Sequence, residues 1–142
     1  MRSASGRDIG TLTLTDAGQG IVLTGRLTGL PPGGHAIHLH AVGKCDPPAF
    51  KAAGGHWNPT NRQHGSESSN GPHLGDLLNL SVEQDSSVTV QATTPGGTLR
   101  GDDALGDADG AALIVHAGVD DYRSQPSGGA GERIACGVVT GS

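Results

Sequence analysis

The chain has 142 residues, 14 acidic against 9 basic, and a formal net charge of −5. That length fits one domain, residues 1–142, built on a single core. No apolar run is long enough to span a membrane, and acidity without a basic cluster argues against nucleic acid as a partner. One Phe, one Trp and one Tyr leave the core to smaller side chains, while 25 Gly and 8 Pro favour turns over long helices. No signal peptide is expected ahead of the domain. The opening MRSASG reads equally as the start of a trimmed secreted chain and as a cytosolic N-terminus.

In chain order, GTLTLTD at 10–16 alternates Leu12 and Leu14 with threonines, the period of a strand with one buried face. After the turn AGQG, the stretch GIVLTGRLTGL completes a hairpin. Further predicted strands are HAIHLHAV, NLSVEQ, SVTVQATT, AALIVHAG and RIACGVV. Capped, helix-period segments are absent. Many short strands with Gly-rich turns predict an all-β sandwich or barrel of Greek-key type.

Two segments break the pattern. Residues 43–76 are rich in Gly, Pro, Asn, Ser and His, and residues 117–132 form a shorter irregular stretch. Loops this long in a compact domain are usually functional or disordered, and the histidines favour function. His56, His64 and His73 lie in the first loop, which Asp76 closes; His116 ends a predicted strand just before the second loop.

His38 and His40 are two residues apart on a predicted strand, so both imidazoles share one face. With His116 they offer nitrogen only, and a fourth imidazole would complete the tetragonal set suited to Cu(II). His64, His73 and Asp76 need one more histidine for a tetrahedral zinc site. Apart from His35, only His56 is left to complete both sites, and a deprotonated imidazole can bind one metal on each side. Cys45 and Cys136 can be read as buried free thiols or as a disulfide. A bridge would close a loop of roughly 90 residues, worth about 4–5 kcal/mol in the chain-entropy model.

GGHAIHLHAVGKC, GGHWNP, RQHG, GPHLGDL, ALIVHAG and GERIACGV together resemble the copper–zinc superoxide dismutases, in the same order and over nearly the whole chain. The resemblance implies a flattened eight-stranded Greek-key β-barrel with long metal-binding and electrostatic loops, and a shortened first strand. It makes His38, His40, His56 and His116 copper ligands. His56, His64, His73 and Asp76 become zinc ligands, with His56 bridging. Cys45 and Cys136 match the family's disulfide. Arg133 matches the arginine beside copper, and Asp120 the aspartate that links a copper histidine to a zinc histidine. His35 matches a structural hydrogen-bonding histidine and stays outside the ligand set.

The implied activity is disproportionation of superoxide to dioxygen and hydrogen peroxide, by alternate reduction and reoxidation of one copper per chain, with one zinc bridged through His56. Catalytic roles fall to His56 and Arg133. The second loop, RSQPSGGAGE, is similar to the bacterial branch, which implies a periplasmic or extracellular location; a cytosolic one stays open, as does the choice between monomer and homodimer. That loop lacks the lysine and glutamates with which animal enzymes guide the substrate. NLS at Asn79–Ser81 spells a glycosylation acceptor without meaning in a bacterial-type chain. The competing reading is a non-catalytic copper- and zinc-binding relative, which would be expected to lack a copper ligand or the arginine. A zinc hydrolase is the weakest reading, because the carboxylate-containing site has no obvious open position.

Overall fold

The computed structural model describes residues 1–100, 104–106 and 109–140. Its strands are β1 (Arg2–Ser3), β2 (Gly10–Asp16), β3 (Ile21–Thr28), β4 (Gly33–His35), β5 (Ile37–His40), β6 (Leu80–Val82), β7 (Ser87–Thr93), β8 (Ala112–His116) and β9 (Arg133–Val138). One sheet has the order β2-β3-β7, a second β1-β9-β8-β5, and β4 pairs with β6 beside them; every pairing is antiparallel. The chain crosses between sheets from β3 to β4 and again from β7 to β8. This is a Greek-key sandwich. β4 and β5 are halves of one strand that changes partner at Ala36, whose N–H and C=O bond to Gly118 and His116. Counting them together gives eight strands among the described residues.

Alternation sets which side chains fill the core. Ile21, Leu23 and Leu27 of β3 are buried there with Val88 and Val90 of β7, Ile37 and Leu39 of β5, and Leu113 and Val115 of β8. The other faces of β5 and β8 are buried too. On β8, Ala112 and Ile114 join Phe50, Ala53 and Cys136 in a second apolar cluster beneath the first long loop. A strand covered on both faces reads as a continuous apolar run, as ALIV does here.

That loop is tied down by main-chain bonds along the free edge of β5. Leu39 donates to the Gly75 carbonyl and accepts from the Trp57 N–H, and Ala41 donates to Gly55. Trp57 is buried in the main core. A disulfide joins Cys45, near the start of the loop, to Cys136 in β9. The first strand is short, as expected: β1 pairs with β9 only at Arg2 and Ser3. Beyond it, a cleft of about 580 Å³ lined by Leu12, Leu14, Leu99 and Val138 separates β2 from β9. Leu12 and Leu14 are therefore only half-buried, despite their clean alternation.

Candidate metal centre

The outward face of β5 carries His38 and His40, and register places them opposite Ile114 and Ala112 of β8. His116 lies on the same face at the end of β8. Between Val115 and His116 the β8–β9 register shifts, so that His116 pairs with Arg133 while Val115 pairs with Ala135. Strict alternation from Cys136 would put Ile134, not Arg133, on this face. The extra residue brings the arginine round to the histidines, a recurrent use of bulges beside functional sites. The first loop supplies His56, which bridges to His40, and Asp76, which bridges to His38.

Four imidazoles converge: His38, His40, His56 and His116 have ligand atoms within 4.8 Å of one another. Their nitrogens His38 Nδ1, His40 Nε2, His56 Nε2 and His116 Nε2 are buried and lack any hydrogen-bond partner. Buried polar atoms are normally paired, so four orphans at one point fit an ion. The opposite nitrogens are held by acceptors, which fixes which nitrogen is free. His38 Nε2–H donates to Asp120 Oδ2 at 2.7 Å, His40 Nδ1–H to the Gly54 carbonyl at 2.8 Å, and His116 Nδ1–H to the Gly131 carbonyl at 3.1 Å.

His56 Nδ1 points into a second cluster. It lies 2.8 Å from Asp76 Oδ1 and 3.2 Å from His73 Nδ1, while His64 Nδ1 and His73 Nδ1 lie 2.9 and 3.3 Å from the same Asp76 oxygen. A tetrahedron with metal–ligand distances of about 2.0–2.1 Å has edges of about 3.3–3.4 Å. The donor set is already near that size. Asp76 Oδ2 accepts from the N–H groups of Gly65 and His73, which fixes the carboxylate. His38 also lies beside this cluster, but its Nε2 is committed to Asp120. His64 Nε2–H donates to Asp120 Oδ1 at 2.8 Å, so Asp120 joins a histidine of each cluster.

The electrostatics follow from burial. Burial pushes His40 down to about 2, and the neighbouring His56 adds to it; burial likewise takes His56 and His116 down to about 4. Burial also lowers His38. These imidazoles are neutral, as metal ligands must be. Burial opposes charge on His64 as well, yet its bonds to Asp120 and Asp76 outweigh that and raise it to about 9. Asp76 and Asp120 are held far below the usual carboxylate range, because hydrogen bonds from the histidines override burial. Arg133 is half-buried, donates to the Phe50 carbonyl at 2.9 Å, and lies close enough to bias His40 and His116.

Every site residue expected from the sequence is in this region, and His35 is apart from the ligand clusters, its ring nitrogens against the His116 and Pro31 carbonyls. Sequence reasoning missed the supporting residues. Asn79, read only as part of a glycosylation acceptor, holds the backbone of Asp120, and Gln125 holds that of His64. No local signal marks an amide whose partners lie 41 to 61 residues away.

The family model for copper/zinc superoxide dismutase matches residues 9–139. The chain belongs to that family. It is 43% identical over 137 residues to a copper–zinc superoxide dismutase of Aquifex aeolicus, covering 94% of this chain and 81% of that protein. Identity to the Caulobacter vibrioides copper–zinc superoxide dismutase is 41%, over 98% of this chain and 82% of the relative. Among solved structures, a double mutant of a SOD-like protein from Bacillus subtilis superposes with a TM-score of 0.94 at 36% identity, covering 99% of this chain and 94% of the other. The Cu/Zn superoxide dismutase of Brucella abortus gives 0.77 at 31% identity, covering 95% and 90%.

Proposed function

We propose that the protein is a superoxide dismutase, converting two superoxide anions and two protons into one dioxygen and one hydrogen peroxide. Copper would be held by His38 Nδ1 and by Nε2 of His40, His56 and His116. Zinc would be held by Nδ1 of His56, His64 and His73 with Asp76 Oδ1. The observation that carries this reading is His56: its Nε2 is among the four unpartnered nitrogens, while its Nδ1 lies 2.8 Å from Asp76 Oδ1. Bound there, copper would supply the one-electron couple and zinc a fixed positive charge.

The chain's own groups do the rest. Arg133 stays protonated and receives the anion beside the four imidazoles. His56 Nε2 is the atom that can take up a proton when it is not a ligand and surrender it on ligating again, while Nδ1 keeps the ring in place. Asp120 holds the rings of His38 and His64 in the required tautomers. The net charge of −5 makes attraction of the anion a local matter of Arg133 and its surroundings. The Cys45–Cys136 bond supports an oxidising compartment, the periplasm or the exterior.

A second reading, a copper- and zinc-binding relative without turnover, draws on the 0.94 match to a SOD-like protein. The complete donor sets and Arg133 favour the enzyme. Metal analysis with a superoxide-consumption assay tests both: one copper and one zinc per chain and rapid consumption are expected. His56→Ala should lose copper and activity, whereas His35→Ala should keep both metals. Full metallation without consumption would leave the second reading standing.

A further inference from the structure

Two side-chain amides cross between the loops in opposite directions. Gln125, on the second loop, accepts the His64 N–H on Oε1 at 2.8 Å and donates from Nε2 to the His64 carbonyl at 3.0 Å. Its Nε2 also donates to the Arg123 carbonyl at 2.8 Å. The amide orientation is thereby fixed, since a carboxamide oxygen in the Nε2 position would face two carbonyls. Asn79, just beyond the first loop, does the same in reverse: Oδ1 accepts from the Asp120 N–H at 2.9 Å and Nδ2 donates to the Asp120 carbonyl at 3.0 Å. The two gripped residues are themselves joined by the His64 Nε2–Asp120 Oδ1 bond.

We infer that Gln125 is a positioning residue for the zinc ligand His64, acting with Asn79 as a reciprocal clamp on the His64–Asp120 pair. The inference rests on the reading of His64 as a zinc ligand. Outer partners that orient a ligand commonly change metal affinity by about 10–100-fold; a grip on the backbone of the ligand should sit at the lower end, about tenfold. Gln125→Glu keeps the shape and the acceptor but puts oxygen against the His64 and Arg123 carbonyls. Gln125→Ala removes the grip outright.

The test is the rate of zinc release to a chelator from fully metallated protein, alongside Tm. Release should quicken about tenfold in both Gln125 variants and stay unchanged in Arg123→Ala, which removes only the exposed ion pair with Glu67. Because both amides hold one bond, Asn79→Ala with Gln125→Ala should accelerate release by less than the product of the two single effects. A lowered Tm with unchanged release would reduce Gln125 to a loop tie and overturn the inference, with the metal assignment intact. Wild-type release unaffected by His64→Ala would overturn the ligand assignment and the inference together.

Discussion

The Asp120 carboxylate gives one oxygen to His38 Nε2 and the other to His64 Nε2. Asp120→Asn would keep one acceptor and turn a donor toward the second imidazole, forcing that ring into the wrong tautomer. Chelator competition should then show weaker retention of at least one metal, by about 10–100-fold, in a protein that still folds. Arg133 makes the opposite case, since a guanidinium cannot ligate. Arg133→Glu should bind both metals yet consume superoxide far more slowly, and Arg133→Lys should fall between, keeping charge but losing the planar fork. Full activity in a metal-replete Arg133→Glu protein would rule out its role. At this scale the ligand residue types were legible in the sequence, because HxH on a strand and histidines clustered in one loop are local patterns. Residue chemistry alone left His35 and His56 both open as the shared histidine; the family resemblance pointed to His56, and the partners of the ring nitrogens, a long-range outcome, support that reading.

Among the elements, the second loop packs against the Asp120–His64 pair at Gly128. It has φ +78, and a Cβ there would lie 2.0 Å from Asp120 Oδ1 and 2.8 Å from His64 Nε2. Gly128→Ala should therefore displace the Asp120–His64 pair, speeding zinc release and lowering Tm together. The disulfide ties the first loop to β9 three residues beyond Arg133. Cys45→Ser should cost about 2–5 kcal/mol of stability, read by denaturant unfolding, and should reduce activity because the Phe50 carbonyl that holds Arg133 is in the tethered loop. Unchanged stability and activity under oxidising conditions would contradict this. Most strands were readable from alternation, and β8 from its continuous apolar run. β1 was not, because two residues cannot show a period, and the shift that reorients Arg133 follows from pairing geometry alone.

At the scale of the whole molecule, the metal-free protein should have a stability maximum near pH 7, where the unfolded chain's four imidazoles together bind about as many protons as His64 holds in the fold. His40, His56 and His116 have folded values of about 2, 4 and 4. The unfolded chain binds their protons from about pH 6.5 downward, so stability falls on acidification. His64, raised to about 9, contributes fully below about pH 6.5 and loses its contribution as pH climbs toward 9. Tm of the apoprotein followed from pH 4 to 9 should trace this dome; a flat profile would contradict the burial argument. In the loaded enzyme, superoxide consumption should slow as ionic strength rises, because salt screens attraction beyond about 8–10 Å.

The sequence alone determined the all-β class, seven of the strands, the two long loops and the residue types able to hold copper and zinc. Each is written in local periodicity or in side-chain chemistry that does not depend on the rest of the chain. Only the tertiary structure decided which nitrogen of each histidine is free, how Arg133 reaches the face that carries His38, His40 and His116, and that Asn79 and Gln125 grip the His64–Asp120 pair. These depend on strand register and on contacts between segments 41 to 83 residues apart. Hydrogen bonds at that separation form only when the packed core brings the loops together, so no short stretch of sequence can encode them.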